Sequence, residues 1–483
     1  MEDNNITNNG TSEIQILTGK IDTSDQIAEM KKHRLTDLPN IYEAEKSIDK
    51  NQHKICFRKD KEVKYTEEND KGEEIQKIRI EEVAKVSLAL QNLIINRAVS
   101  FLFGNAVNYS ATTQNESQAT ILTALNKILK HNKETSLNRR IARSIFAYKE
   151  AAEVWYTVNS DNTEYGFRTG KKLRCKIFTP KDSTLYPFYD NDGDLVAFSR
   201  EYKVKDENGI EQTFFETYTA ENKYLWKQDG TDYKLEPGFP QSNGIGKIPV
   251  IYGRQEKFET QDVDKLIDRL EVLLSHFADT NDYHAAPKIF VTGQINGWTT
   301  KGESGAVIEG EEGAQAQYLS WSNAPESVKL EIETLLRMIY TITQTPDIAF
   351  DSVKGLGSLS GVALKLLFMD AHLKVQDKRE IFDEYLQRRV NVLKAYIGSL
   401  NPKVANEIDN LDVTPEITPY IINSDTEQVN MWQSANGGKP LISHKASVIS
   451  AGLTSNPEDD FKQIEIEQAT DNAITEIQQN LEL

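Results

Sequence analysis

Two apolar stripes of heptad spacing constrain this chain more than any other feature. Val263, Leu266, Leu270, Leu273 and Phe277 step by 3, 4, 3 and 4, with acids filling much of the space between them. Val328, Ile332, Leu335, Ile339 and Ile342 repeat the pattern some fifty residues later. A stripe this narrow predicts a helix that buries one seam, and about 20 residues of helix span roughly 30 Å. One seam cannot cover a helix on all sides. Two arrangements satisfy it: a coiled-coil hairpin within one chain, or such hairpins lined up between identical subunits to close a ring. Residues 285–323 separate the stripes, with a strand-like KIFVTG, a Gly-rich acidic run GESGAVIEGEEGAQ and a strand-like YLSW.

The rest of the chain divides by period. The first twenty or so residues are polar and read as disordered. Residues 81–103 (EEVAKVSLALQNLIINRAVSFLF) are apolar at helical spacing and stop at Gly104, and further helices are expected near 117–131 and 135–151. Between 152 and 236 the pattern alternates, and Asp192-Gly193, Asn208-Gly209 and Asp229-Gly230 punctuate it, as in an antiparallel meander. A third helical region, about 360–399, has apolar ends but a charged middle, KVQDKRE. Near the end, Asn456-Pro457-Glu458-Asp459-Asp460 starts another helix, with Phe461, Ile464, Ala469, Ile474 and Ile477 as its stripe.

Charge narrows the function. The formal net charge is −18, and residues 401–483 alone hold fourteen acids against four lysines. Tight grip on nucleic acid calls for the opposite sign. The basic clusters Lys31–Arg34 and Arg139, Arg140, Arg143 are short and read as solvated helix faces. No run of 18 apolar residues occurs, and the polar start MEDNNITNNGTSEIQ argues against a signal peptide or membrane span. Cys56 and Cys175 lack metal-ligand spacing and point to a reducing compartment without a disulfide framework.

The chemical motifs fail on inspection. GLGSLSG (355–361) spaces its glycines almost as a dinucleotide fingerprint does, but it follows a long helix and Pro346 instead of a buried strand. Gly361 is followed by Val362, so no phosphate-loop Lys-Ser/Thr pair is present. YDNDGDLVAFSRE places Asp190, Asp192, Asp194 and Glu201 at calcium-loop positions, yet its glycine is misplaced and its flanks alternate, so a hairpin turn is expected. The seven histidines are scattered and GSLSG carries Leu359 at its centre, which leaves no metal cluster and no nucleophile elbow. The chain reads as non-enzymatic, with no cofactor and no metal.

The order of segments resembles the portal proteins of tailed bacteriophages, in the branch found in long-tailed phages of Gram-positive hosts. NRAVSFLFGNAVNYS (96–110), FTPKDSTLYPFYDNDGDLVAFSREYKV (178–204), GKIPVIYG (246–253) with DVDKLIDRLEVLLSHFADTN (262–281), SGVALKLLFMD (360–370) and LISHKASVISAGLTSNPEDDFKQIEIE (441–467) carry the resemblance, in order. It implies an α+β portal fold: a mainly helical stem, wing and crown, an antiparallel β-meander in the wing, and a small α/β clip.

By segment, 1–23 would be an N-terminal arm and 24–260 the wing, including the meander at 152–236. Residues 261–284 and 325–344 would be the stem, packed through the ten stripe residues, and 285–324 the clip. Residues 345–360 would be the tunnel loop, 361–439 the long kinked helix and wing return, and 440–483 the crown. The resemblance further implies a homo-oligomeric ring, usually of twelve, at one capsid vertex of the virion, assembled in the host cytoplasm. Double-stranded DNA would pass through its channel. Its other partners would be the terminase large subunit, a head-tail connector, and the major capsid and scaffolding proteins. Asn296, Trp298, Lys301, Glu303, Glu309, Glu311 and Glu312 would face terminase and connector. Asp347, Asp351, Ser352, Lys354, Gly355, Gly357, Ser358 and Ser360 would line the channel. With one Lys among those loop residues, each subunit would offer at most one strong phosphate contact, so the wall would confine a duplex without holding it.

Overall fold

The computed structural model describes residues 23–32, 34, 38–68, 74–190, 192–285, 288–293, 295–298, 308–310, 313, 315–319, 325–347, 368–420, 443–451 and 457–481. They divide into two compact units. One comprises the chain up to Asp347 together with Asp370–Tyr420, and the other comprises Ile348–Met369 and Ile421–Leu483.

The first unit begins with helix α1 (Thr23–Lys32) and helix α2 (Ile41–Ile48), which Asn40 caps by accepting from the Glu43 N–H at 3.2 Å. Strands β1 (Lys61–Glu68) and β2 (Glu74–Glu81) form a two-stranded ribbon with eight paired positions, most of them exposed. The expected helix over 81–103 is shorter: residues 83–89 lie outside helix or strand, and helix α3 spans only Leu90–Phe103. Three backbone N–H groups of the missing part, on Ala84, Val86 and Leu88, are held by side chains of Asp279, Ser275 and Glu271. Those bonds replace the ladder a helix would have supplied.

Strand β3 (Asn108–Ser110) precedes helices α4 (Glu116–His131) and α5 (Glu134–Tyr148), and the chain turns out of α5 at Lys149 with φ +71°. The alternating region forms the antiparallel meander expected, as the second of two sheets. Strand β4 (Glu150–Asn162) pairs with β5 (Thr169–Phe178). A turn, in which Thr179 O accepts from the Asp182 and Ser183 N–H groups, carries the chain across to the second sheet. That sheet runs in sequence order through β6 (Thr184–Tyr189), β7 (Leu195–Lys205), β8 (Glu211–Thr219), β9 (Asn222–Asp229) and β10 (Asp232–Leu235), and short β11 (Gln241–Ser242) joins β9. Strand β12 (Val250–Arg254) returns to the first sheet on the free side of β4. The sheets share a core of Val154, Phe178, Leu185, Phe198, Tyr218 and Val250, while Ile27 and Met30 of α1 cover the second sheet at Phe215 and Trp226.

The calcium-like run is a hairpin turn between β6 and β7. Asp190 Oδ1 accepts from the N–H groups of Asp192 (3.0 Å) and Asp194 (2.8 Å), and Gly193 takes φ +86°. That carboxylate is engaged in building the turn.

Helix α6 (Asp264–Ala285) follows, then strands β13 (Lys288–Thr292), β14 (Ile295–Trp298), β15 (Ile308–Gly310) and β16 (Gln315–Leu319), then helix α7 (Pro325–Ile342). Helix α8 (Met369–Leu400) is the longest element, and strand β17 (Thr414–Glu416) pairs with β3. In the second unit, helices α9 (His444–Ala451) and α10 (Pro457–Leu481) meet through His444 on Phe461, ring centroids 5.7 Å apart, and Lys445 with Glu458 at 3.6 Å. Residues 1–22, where disorder was expected, lie outside the described residues.

Candidate functional site: a two-helix stalk and its clamps

Helices α6 and α7 pack together through the stripes read from the sequence. Val263, Ile267, Leu270, Leu335 and Ile339 are buried, with Leu266, Leu273, Leu274, Ile332 and Leu336 half-buried against them. Val328 and Phe277 are half-buried, and Ile342 is about half exposed. Arg269 donates to Glu331 at 2.8 Å across the outer surface of the pair. A third wall completes the core, because Leu88, Leu90 and Ile94 pack into the same cluster. Each fully buried aliphatic side chain contributes about 1.5–3 kcal/mol, so this seam is the main cohesion of the stalk.

The third wall is held by the acidic face of α6. Glu271, Ser275 and Asp279 recur every fourth residue and accept from the N–H groups of Leu88 (2.7 Å), Val86 (2.9 Å) and Ala84 (2.7 Å). The match is geometric. Alternate residues of an extended chain are about 6.7 Å apart, and a helix rises about 6 Å in four residues. The strap therefore runs antiparallel to α6 in register. Arg58 locks its outer end, pairing with Asp279 at 2.7 Å and donating to Ala84 O at 3.0 Å. At its inner end His53 Nδ1 lies 2.6 Å from Glu271 Oε1, and Nε2 lies 2.9 Å from Ser47 O. The hydrogen bond to Glu271 outweighs burial and raises the imidazole pKa above its ordinary value.

At the tip of the stalk the described residues form nested antiparallel pairs, β13 with β16 (Lys288 opposite Leu319) and β14 with β15 (Ile295 opposite Gly310). Among the described residues the insert contributes strands, a bend and a turn, and no helix. Asn296 and Trp298 are on β14 and Glu309 on β15, whereas Lys301, Glu303, Glu311 and Glu312 lie outside the described residues.

At the base, the C-terminal end of α7 is tied to α8. Lys374 Nζ donates to Thr343 O at 2.7 Å and pairs with Glu259 at 2.6 Å, and Lys378 reaches the other Glu259 oxygen at 2.6 Å. Burial pushes the Glu259 pKa up, but the two lysines overcome it and hold the carboxyl below its ordinary value. Arg97 donates to Pro346 O at 2.8 Å, just before exposed Asp347. Asp351, Ser352, Lys354, Gly355, Gly357, Ser358 and Ser360 lie outside the described residues.

The charged middle of α8 is thus partly internal, and further along so is Arg389. It is fully buried and grips Glu153 of β4 with two bonds, 2.7 and 2.8 Å, while donating to Asn138 Oδ1 at 2.6 Å. The basic clusters also depart from the solvated faces expected. Arg34 is buried against Glu150 and Tyr252, Lys31 pairs with Glu201 at 2.6 Å, and Arg139 donates to Phe103 O and Gly104 O at the end of α3. Of these clusters, Lys32, Arg140 and Arg143 are exposed.

The polar groups of the stalk and its clamps are engaged in holding elements together. The chain belongs to the phage portal protein family, SPP1 Gp6-like, whose model matches residues 21–473. This family is structural, not catalytic. No curated protein sequence matches the chain. Among solved structures, it is similar to a chain from the neck of an empty GTA particle (11% identity, TM-score 0.40), covering 75% of this chain and 89% of that one. It is also similar to a chain from the virion of a native gene transfer agent particle (11% identity, TM-score 0.37), covering 75% of this chain and 88% of that one.

Proposed function

We propose that this portal-family chain assembles into a ring, of about twelve subunits by the resemblance, at one vertex of a virion capsid. Double-stranded DNA is packaged and later ejected through its channel. The observation that carries the reading is the α6–α7 stalk, capped by strands and fixed at its base to α8 through Lys374, Thr343 and Glu259. In this reading residues 261–284 and 325–344 are the stem, and 285–324 are the clip that meets the terminase large subunit and the head-tail connector. The two-sheet body belongs to the wing, 345–360 to the tunnel loop, and 440–483 to the crown. Major capsid and scaffolding proteins surround the ring.

Negative-stain imaging of the purified chain tests the ring. Rings with a central hole are expected, and a strictly monomeric protein at every concentration overturns the reading. Particles produced without this protein test the DNA passage: empty heads are expected, and filled heads would make it a tail component instead.

A further inference from the structure

A cleft of about 420 Å³ lies between the two sheets, lined by β4 and β5 on one side and by β7, β8 and β9 on the other. That volume falls in the range of small-ligand sites. Strand register builds its charged wall. Arg200 on β7 stands directly opposite Glu216 on β8, and Lys223 on β9 stands opposite Tyr218, the next residue of β8 on the same face. Lys176 of β5 lines the cleft from the first sheet. Glu216 takes Arg200 Nε on one oxygen and Lys223 Nζ on the other, each at 2.5 Å. Burial pushes its pKa up, but the two cations hold the carboxyl below its ordinary value. Lys176 is exposed and makes no ion pair among the described residues. One carboxylate thus meets three cations, in a chain whose net charge is −18.

Arg200 is set to receive an anion. It is only 8% exposed, and its guanidinium is held between the rings of Phe178 and Tyr202, with Cζ 3.8 and 4.0 Å from their centroids. Its Nε donates to Glu216. Neither Nη group has a hydrogen-bond partner among the described residues, and neither is sealed from solvent. The two rings and the Nε bond fix the plane of the guanidinium. Its Nη edge is therefore a fork ordered before any ligand arrives, in the geometry that suits carboxylate and phosphate oxygens.

We propose that this cleft binds a small phosphate monoester, its phosphoryl group on the Nη edge of Arg200 beside Lys176 and Lys223, and its organic part toward Tyr156. Two observations favour that class over other anions. The cleft has an excess of two positive charges, which matches a monoester carrying about −1.5 to −2 at neutral pH and is more than one carboxylate neutralises. The volume is also larger than a bare ion needs, and Tyr156, 41% exposed, and Pro249 offer apolar surface for the remainder of a ligand. Lys176 belongs to one sheet, and Arg200 and Lys223 to the other, so a ligand held by all three fastens the sheets together. The site lies within one chain and is independent of the ring reading.

Calorimetric titration of the purified chain with phenyl phosphate should show saturable binding, with inorganic phosphate weaker and benzoate weaker still. Phenyl phosphate should also raise Tm and slow acylation of the Lys176 amine, read by peptide mass spectrometry. Arg200→Lys keeps the charge and loses the fork, so it should weaken phenyl phosphate about tenfold or more. Lys176→Ala, a change at an exposed side chain, should weaken it about three- to fivefold. No heat with phenyl phosphate, or binding that neither variant weakens, overturns the site. Inorganic phosphate binding as tightly as the ester overturns the monoester and leaves the free ion as the ligand. Benzoate binding as tightly overturns the phosphoryl assignment. If circular dichroism shows that Arg200→Lys does not fold, Lys176→Ala and the acylation readout decide.

Discussion

His53 and Glu271 meet inside the base of the stalk, with Nδ1 2.6 Å from Oε1. Both imidazole nitrogens face acceptors, Glu271 Oε1 at 2.6 Å and Ser47 O at 2.9 Å, so the ring is satisfied only as the imidazolium. Asp268, paired with Lys54 at 2.7 Å, adds to the negative field around it. The pKa of His53 is raised above 6.5, chiefly by the bond to Glu271. A raised folded-state pKa gives stability that is complete below about pH 6.5 and is lost as pH rises through the folded value. Thermal stability should therefore fall as pH rises above about 6.5, at no more than about 1.4 kcal/mol per pH unit from this one proton. His53→Gln should flatten that slope. An unchanged slope in the variant would show that another group carries it.

The strap makes a local prediction. Ser275 is fully buried and is the acceptor for the Val86 N–H. Ser275→Ala leaves that donor unpaired, at a cost of about 1–3 kcal/mol. Hydrogen exchange should accelerate at Val86 and its neighbours Ala84 and Leu88 before it changes in the two sheets. Uniform acceleration across the chain would mean that the strap has no opening of its own.

Arg389 and Glu153 are both fully buried and bound by two bonds. Removing only one partner strands a charge, so Arg389→Ala should cost about 3–5 kcal/mol. Arg389→Lys should also destabilise, because an ammonium cannot fork onto both carboxylate oxygens. Arg389→Met combined with Glu153→Gln should cost less than the sum of the single changes, as a denaturation cycle would measure. Additive costs would mean that the pair is not coupled.

These clamps also mark where the sequence stops being legible. The α6–α7 seam could be read because its determinants are local, at 3–4 spacing on each helix. The turns at Asp192-Gly193 and Asn208-Gly209 were legible for the same reason, since Asp190 and Asp206 bind N–H groups two and four residues on. The strap could not be read. Val83, Val86 and Leu90 fit helical spacing, and the acceptors that pull the backbone straight lie on a helix almost two hundred residues later. Arg34 misled similarly: it sits in a polar run and is buried because a distant carboxylate, Glu150, meets it, as Glu259 meets Lys374 in the charged middle of α8. The return of β12 to β4 was not legible either, because it is a pairing across almost a hundred residues.

Gly253, in the GKIPVIYG segment, has a packing role that can be tested directly. A Cβ there would stand 2.7 Å from a ring carbon of Tyr385 on α8 and 3.1 Å from Ile145 Cδ1 on α5. Tyr385 is itself buried and cannot swing into solvent. Gly253→Ala should therefore destabilise the first unit by about 1–3 kcal/mol, the usual cost of overpacking. A neutral result in urea denaturation would mean that α8 shifts freely against β12.

Lys354 carries the functional prediction. If 345–360 lines the channel, it is the one cation among the channel residues proposed above, and its contacts with phosphate are transient and sensitive to salt. Lys354→Ala should leave ring assembly intact by sedimentation and alter packaging or retention of DNA in particles. The difference from wild type should shrink as salt is raised, because a single phosphate contact contributes a salt slope of about one. If Lys354→Ala instead blocked assembly, the loop would belong to a subunit interface and not to the channel wall.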